Sequence, residues 1–139
     1  MGHISKTWLL AALTVFGLCL TACGPQTEQA ASISGRVYFD EDASEECEEC
    51  ECGIPDVRIK LYEASCGGES FQLIRTNEDG YFLFSDLAPG AYCVYSDLSP
   101  TCNGYMPTTS ISYAVELQSG EALELPGFGY DLFVDQMQK

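Results

Sequence analysis

Two short hydrophobic runs on either side of a Pro-Gly pair constrain the fold of this chain more than any other feature. Phe82 and Phe84 occupy alternate positions before the pair. Tyr92 and Val94 do the same after it. A two-residue period places one face of each run in a core, as in β-strands. The turn signal Asn77–Gly80 precedes the first run, because Gly adopts the positive φ of tight turns. The pattern predicts a hairpin in which the second strand runs back beside the first, with its aromatic side chains in a sandwich core.

The same period recurs in five further segments separated by turn signals. These are 33–39, 57–62, 71–76, 112–117 and 123–130. The connection 96–109 contains Pro100, Asn103-Gly104 and Pro107 and is expected to be irregular. A helical period occurs only in the first 22 residues. Seven short strands of this kind predict an all-β chain, a seven-stranded antiparallel Greek-key β-sandwich.

Alternation also assigns a face to each residue of the predicted strands. The positions expected to face the core are Ile33, Gly35, Val37, Phe39, Val57, Ile59, Leu61, Phe82, Phe84, Leu87, Tyr92 and Val94. Tyr38, Arg58 and Lys60 are expected on the outer faces.

The first 22 residues have the pattern of a bacterial export signal. Lys6 is followed by an apolar run, 8–20, that is shorter than a membrane-spanning helix. The run ends in Leu-Thr-Ala-Cys, which resembles a lipobox, so we expect cleavage before Cys23 and acylation of that residue. An ordinary export signal that happens to contain a cysteine is the alternative. Several acyl chains would hold the protein stably on a membrane. Gly24 after the cysteine favours the outer membrane if the cell is Gram-negative.

The expected organisation is therefore a signal peptide over 1–22, a lipidated tether over 23–31, a β-sandwich domain over 32–134 and a tail over 135–139. The formal net charge of the chain is −15. A surface this acidic repels phosphates, which excludes nucleic acid as a partner. It is compatible with divalent cations and high solubility.

Eight cysteines in an exported chain indicate disulfides. Cys19 lies in the signal and Cys23 is the expected acylation site. The remaining six are expected to form disulfides: Cys47, Cys50, Cys52, Cys66, Cys93 and Cys102. The C-x2-C-x-C spacing of the first three would suggest zinc or a redox pair in the cytosol, but export favours cystine.

The direction of the predicted strands limits how these cysteines pair. Cys66 and Cys93 lie toward one end of an up-and-down sandwich, and the other four lie at the opposite end. Opposite ends are too far apart for a bridge. We therefore expect Cys66–Cys93, with Cys102 joined to one cysteine of the loop 40–52. The other two cysteines of that loop would then join each other. A local Cys93–Cys102 bridge is the main alternative.

Three segments taken together resemble the serine-aspartate-repeat protein B-domain family. They are Gly35-Arg-Val-Tyr-Phe-Asp-Glu-Asp, Gly53-Ile-Pro-Asp-Val-Arg-Ile-Lys-Leu-Tyr and the Gly-x-Phe-x-Phe…Leu-x-Pro-Gly-x-Tyr pattern of 80–92. The resemblance spans 33–133. It implies a collagen-adhesin B-type, prealbumin-like or immunoglobulin-like sandwich of the kind found in bacterial surface proteins.

In that family the first loop often resembles an EF-hand and binds calcium. The resemblance places Asp40, Asp42, Ser44 and Glu51 at the first, third, fifth and twelfth loop positions. Glu45 stands where the loop needs Gly, and cysteines interrupt the remainder. Two interpretations of the loop therefore stay open. It is either a Ca²⁺ site or a solvated acidic loop that disulfides restrain.

Catalysis has little support in the sequence. The single histidine, His3, lies in the predicted signal, so no Ser-His or Cys-His pair can form in the domain. We expect no enzymatic activity and no required cofactor. The favoured function is a lipid-anchored structural or interaction module of the adhesin type at the cell surface, with a possible protein partner there. A periplasmic or surface Ca²⁺-binding protein and an accessory lipoprotein of a membrane complex are the alternatives.

Overall fold

The computed structural model describes residues 27–44, 52–98 and 104–132, and these contain nine β-strands. The strands are β1 (Ala31–Phe39), β2 (Arg58–Glu63), β3 (Gln72–Arg75), β4 (Tyr81–Leu87), β5 (Gly90–Asp97), β6 (Tyr105–Pro107), β7 (Ser112–Leu117), β8 (Ala122–Glu124) and β9 (Phe128–Leu132). Within these ranges no helix is long and apolar enough to cross a membrane. The predicted signal, tether start and tail lie outside the described residues.

The strands form two sheets that face each other. The five-stranded sheet has the order β4-β1-β9-β6, with β8 also paired to β1. The four-stranded sheet has the order β3-β2-β5-β7. The all-β sandwich is therefore confirmed, and its core is the space between the two sheets.

The core is filled by the positions that alternation assigned to it. Val57, Ile59 and Leu61 from β2 are no more than 2% exposed. Phe84 from β4 is 1% exposed, and its ring meets that of Phe82 edge-on, with centroids 6.1 Å apart. These inward positions were correctly predicted because a two-residue period reports directly which face of a strand is buried.

The predicted hairpin is wrong, because β4 and β5 lie in opposite sheets. β4 pairs with β1, whereas β5 pairs with β2 and β7. The register between β1 and β4 shifts near the end of β4, where Asp86 has φ 57°. Such a bulge bends a strand. The chain then crosses the core edge and enters the other sheet, so the two aromatic runs face each other across the core.

The strand count of seven is also too low. The segment 96–109, expected to be irregular, contains β6, which pairs with β9. The expected last strand 123–130 is divided into β8 and β9. Pro126 has no N–H to donate to a sheet, and Gly127 has φ 100°. These two residues therefore interrupt the strand between β8 and β9.

The sandwich is not wholly antiparallel. β8 and β9 both run parallel to β1, whereas the other pairings between strands are antiparallel. β7 belongs to the other sheet, so the chain that follows it crosses over before joining β1. A crossover of this kind permits parallel pairing, which a tight hairpin does not.

Alternation predicted that Tyr38 would lie exposed on an outer face. In the structure Tyr38 is buried. It is 0% exposed, whereas Phe39 is only partly buried. Tyr38 pairs across strands with Gly129, and a Cβ at Gly129 would stand 3.1 Å from the ring. The absence of a side chain at Gly129 gives the tyrosine ring room to pack against the backbone, so the outer face is covered at this point.

Candidate functional site

The acidic loop 40–52 is closed at its base by backbone hydrogen bonds. The Phe39 N–H donates to the Cys52 carbonyl over 2.8 Å, and the Ile54 N–H donates to the Val37 carbonyl over 2.9 Å. Gly53 packs directly against the backbone of Asp79, so closely that any side chain would collide with it. The two ends of the loop are therefore fixed to β1 and to the turn before β4.

The first residues of this loop draw two carboxylates together. The Ser44 N–H donates to Oδ1 of Asp40 over 2.9 Å and to Oδ1 of Asp42 over 3.0 Å. Asp40 is fully buried, and its own N–H donates to the Tyr130 carbonyl. Asp42 and Ser44 are exposed. The two carboxylates therefore converge on one backbone N–H at the start of the loop.

The remaining predicted ligand, Glu51, lies outside the described residues. Among the residues that the structure does describe, no group of three or more acidic, Cys or His side chains is positioned to hold a metal ion. Asp40, Asp42 and Ser44 lie together at the start of the loop, and calcium binding there stays a prediction.

The cysteine prediction is confirmed for one pair. Cys66 and Cys93 form a disulfide, with Cα atoms 5.2 Å apart. Cys93 faces outward from β5, out of phase with buried Tyr92 and Val94, and the loop after β2 folds back over this face to reach it. Cys52 is exposed and forms no disulfide with another described cysteine. Cys23, Cys47, Cys50 and Cys102 lie outside the described residues.

A groove beside this disulfide was not predicted from the sequence. It has a volume of about 330 Å³ on the outer face of the four-stranded sheet, and it is lined by Lys60, Tyr62, Cys66, Gly67, Tyr95 and Asp97. Alternation assigned Lys60 to an outer face, but it gave no indication that the loop after β2 would form a wall there. The disulfide supplies that wall.

Charges on this face are paired around one carboxylate. Oδ2 of Asp97 lies 2.9 Å from the Lys60 ammonium and 3.0 Å from the Arg58 guanidinium. The hydrogen bond that Lys60 donates to Asp97 raises the pKa of Lys60 above its usual value. These groups can hydrogen-bond a polar ligand, and the arrangement contains no nucleophile held by a base.

Two buried or partly buried tyrosines have structural contacts. The Tyr130 hydroxyl donates to the Ser96 hydroxyl over 2.8 Å and joins the two sheets within the core. Burial raises the pKa of Tyr130 to about 12, and the hydrogen bond to Ser96 opposes this effect. Burial also raises the pKa of Tyr92.

Comparison with protein families identifies one match. A family model described as the SdrD B-like domain matches residues 31–121. This range includes the acidic loop, the disulfide and the first seven of the nine described strands. The comparison with curated proteins finds no sequence match.

Several solved structures share the fold. The minor pilin GBS52 of Streptococcus agalactiae has a TM-score of 0.55 and 13% identity, over 75% of this chain and 45% of the pilin. The major pilin SpaD of Corynebacterium diphtheriae has a TM-score of 0.53 and 11% identity, over 76% of this chain and 33% of the pilin. The Bacillus anthracis TIE protein has a TM-score of 0.52 and 18% identity, over 75% of this chain and 18% of that protein. This chain therefore spans less than half the length of each protein, and at such low identity the likeness concerns the fold.

Proposed function

Because the chain belongs to the SdrD B-like domain family, whose model covers residues 31–121, we propose that it is a non-enzymatic structural and interaction module of the bacterial cell surface. The family match is the observation that carries this proposal. The fold alone supports many functions, so the assignment depends on the family and on the construction of the domain.

The construction of the domain supports this role. The Cys66–Cys93 disulfide joins the loop after β2 to β5, and such bonds persist outside the cytoplasm. The titratable groups with raised pKa, Lys60, Tyr92 and Tyr130, are engaged in an ion pair or in hydrogen bonds that hold the fold. A disulfide-held sandwich of this kind is suited to presenting its sheet faces and edges to other proteins.

The proposal includes attachment of the domain to a membrane through lipid on Cys23. The lipobox-like Leu-Thr-Ala-Cys sequence supports this attachment. The first described strand begins at Ala31, so the intervening 23–30 would be a short tether. In a Gram-negative cell, Gly24 after the cysteine favours the outer membrane.

The experiment has two readouts on the full chain. Membrane fractionation compares the unchanged chain with Cys23→Ser, and Cys52→Ser is the matched control. Cys23→Ser should appear in the soluble fraction or remain as uncleaved precursor, while Cys52→Ser should stay with membranes. A processed Cys23→Ser protein that still pellets with membranes would contradict the lipid anchor.

Surface display is measured separately, by labelling intact cells with a membrane-impermeant amine reagent. Lys60 on the outer sheet face has a partly exposed amine, 27% exposed, and the new amino terminus adds another if it is not acylated. Labelling before cell lysis supports display at the surface. Labelling only after lysis would place the domain inside the envelope and contradict a surface role.

Calcium binding is a second candidate function, supported by the convergence of Asp40 and Asp42 on the Ser44 amide. Glu51 would complete the set if the loop brings it near. Calorimetric titration with CaCl₂ tests this on the oxidised full chain. Asp42→Asn should weaken or abolish the binding, whereas Asp86→Asn, an exposed acid on β4, should leave it unchanged. Equal heats for all three proteins would exclude this loop as the site.

A further inference from the structure

The groove beside the disulfide lies over the two central strands of the four-stranded sheet. Lys60 and Tyr62 come from β2, and Tyr95 and Asp97 come from β5. β2 pairs with both β3 and β5, and β5 pairs with both β2 and β7, so neither strand has a free edge there. A ligand in this groove is therefore recognised by side chains, because no strand of a partner can be added to the sheet at this place.

The size and lining of the groove match those of a site for a small polar molecule. Its volume of about 330 Å³ is near the lower end of the range for small-molecule pockets, about 300–1,000 Å³. Two tyrosine rings and an ion pair line it. The Cys66–Cys93 disulfide fixes the loop that forms the wall, so the groove keeps its shape without a ligand.

Tyr62 has a hydroxyl that no contact within the described chain uses. Tyr62 is only 8% exposed, and a tyrosine buried to this degree usually directs its hydroxyl to a hydrogen-bond partner. No described residue bonds to the Tyr62 hydroxyl, and that oxygen is not buried. Because Tyr62 lines the groove, its hydroxyl is available there both to donate and to accept.

The ion pair in the groove also leaves hydrogen-bonding positions open. Lys60 and Arg58 both contact Oδ2 of Asp97, at 2.9 and 3.0 Å. No described residue bonds to Oδ1 of Asp97, which can accept a hydrogen bond. The Lys60 ammonium has three N–H groups, so it can donate to a ligand while it stays bonded to Asp97. The groove therefore offers a donor and an acceptor side by side.

We propose that this groove binds a neutral saccharide, recognised as a pyranose ring with hydroxyls on adjacent carbons. One ring hydroxyl donates to Oδ1 of Asp97, and the neighbouring hydroxyl accepts from the Lys60 ammonium. The Tyr62 hydroxyl bonds to a third oxygen of the sugar. The C–H face of the sugar packs on the partly exposed Tyr95 ring, because the negative face of an aromatic ring attracts polarised C–H groups.

The charges of the groove favour a neutral saccharide over other small molecules. A charged ligand would compete with ion-pair contacts of 2.9–3.0 Å that are already made. An anion would also be repelled by a chain whose net charge is −15. An apolar ligand would remove water from the ion pair and give no hydrogen bond in return. Sugar hydroxyls add to the ion pair without breaking it.

The first test is a glycan array probed with the full chain. The chain carries biotin at its carboxyl end and is presented on fluorescent streptavidin, because several linked copies strengthen weak binding. The array includes neutral, sialylated and phosphorylated glycans together with acidic peptides. We expect binding to neutral glycans that the free methyl glycoside of their terminal sugar displaces. An array without a bound neutral glycan, or with binding confined to the acidic probes, would overturn the proposal.

The second test locates the site by nuclear magnetic resonance. The isotope-labelled full chain is titrated with the same methyl glycoside, and the amide shifts should centre on the residues that line the groove. Asp97→Asn should weaken binding about tenfold or more, and Tyr62→Phe, which removes one hydroxyl, about threefold or more. Asp56→Asn is the matched control, because Asp56 pairs with Arg75 over 2.9 Å outside the groove.

The Asp56→Asn variant should bind as tightly as the unchanged chain, and thermal melts check that each variant is folded. Equal affinities in Asp97→Asn and Asp56→Asn, or shifts centred elsewhere on the domain, would contradict this site. Saccharide binding by the purified chain is independent of lipid attachment and of display at the surface. Failure of this proposal would therefore leave the proposed function standing.

Discussion

The Tyr92 hydroxyl donates to the Ala88 carbonyl over 2.9 Å and closes the corner through which the chain passes from one sheet to the other. Tyr92 is 5% exposed, so its ring lies in the core while its hydroxyl reaches back to the corner. A tyrosine that bonds to backbone a few residues upstream also stabilises corners in immunoglobulin-type sandwiches.

Tyr92→Phe should therefore destabilise the domain by about 1 kcal/mol, the usual net value of one hydrogen bond. Denaturant unfolding of the purified chain measures the change. Tyr95→Phe is the control, because the Tyr95 side chain lines an open groove. Equal losses in both variants would show that the corner bond contributes nothing of its own.

Phe84→Ala should lower the free energy of unfolding by about 3–5 kcal/mol, because it leaves a cavity between the sheets. Phe84 is 1% exposed, and adjacent Leu83 points outward. Leu83→Ala should change stability by no more than about 0.5 kcal/mol. A melting temperature that is unchanged by Phe84→Ala would contradict the assigned faces of β4.

Stability should fall as the pH rises from about 10 to about 12. The folded chain holds the Tyr130 proton with a pKa of about 12, whereas an unfolded tyrosine releases it near pH 10. The stabilisation is complete below pH 10, and its loss through this window is on the order of 2–3 kcal/mol. Tyr130→Phe should flatten the decline, although raised pKa values at Tyr92 and Lys60 act in the same direction and leave a remainder.

Urea unfolding at a series of pH values provides the measurement for Tyr130. Tyr81→Phe serves as the control, because Tyr81 is half-exposed. The control should keep the full slope of the unchanged chain. If Tyr130→Phe keeps it as well, the buried hydroxyl is not the source of the pH dependence.

Removing the Cys66–Cys93 disulfide should cost about 3–4 kcal/mol, the loop-closure value for a separation of 27 residues. The double variant Cys66→Ala/Cys93→Ala measures this under oxidising conditions, which preserve any other disulfide. Mapping of unreduced peptides should link the segment containing Cys66 to the one containing Cys93. A link from Cys66 to Cys102 or to the acidic loop would contradict the structure.

In this fold the sequence predicts which side of each strand is buried better than it predicts which strands pair with each other. Phe82 and Phe84 were correctly assigned to the core, since alternation depends only on burial. Whether β5 pairs with β4 depends on the bulge at Asp86 and on competition from β1 and β2, and no local pattern carries that information. The pairing of Cys66 with Cys93 could be predicted because strand direction alone separates the two ends of a sandwich.

Long-range packing also explains the failure at Tyr38. Its burial requires Gly129, which lies 91 positions further along the chain, to pair with it in the sheet. The same applies to the groove at Lys60 and Asp97, which depends on the path of the loop after β2. Both features arise from tertiary contacts that a two-residue period cannot report.

Because the base of the acidic loop is held by backbone hydrogen bonds, we expect the sandwich to tolerate other sequences in the loop. Phe39, Cys52 and Ile54 are joined to the sheet by main-chain bonds, which are indifferent to the side chains between them. Lengthening a loop costs only about 0.6 kcal/mol for each doubling. Foreign peptides inserted between residues 45 and 51 should therefore be carried without loss of the sandwich, which makes the domain a scaffold on which evolution, or an engineer, can exchange one surface sequence for another.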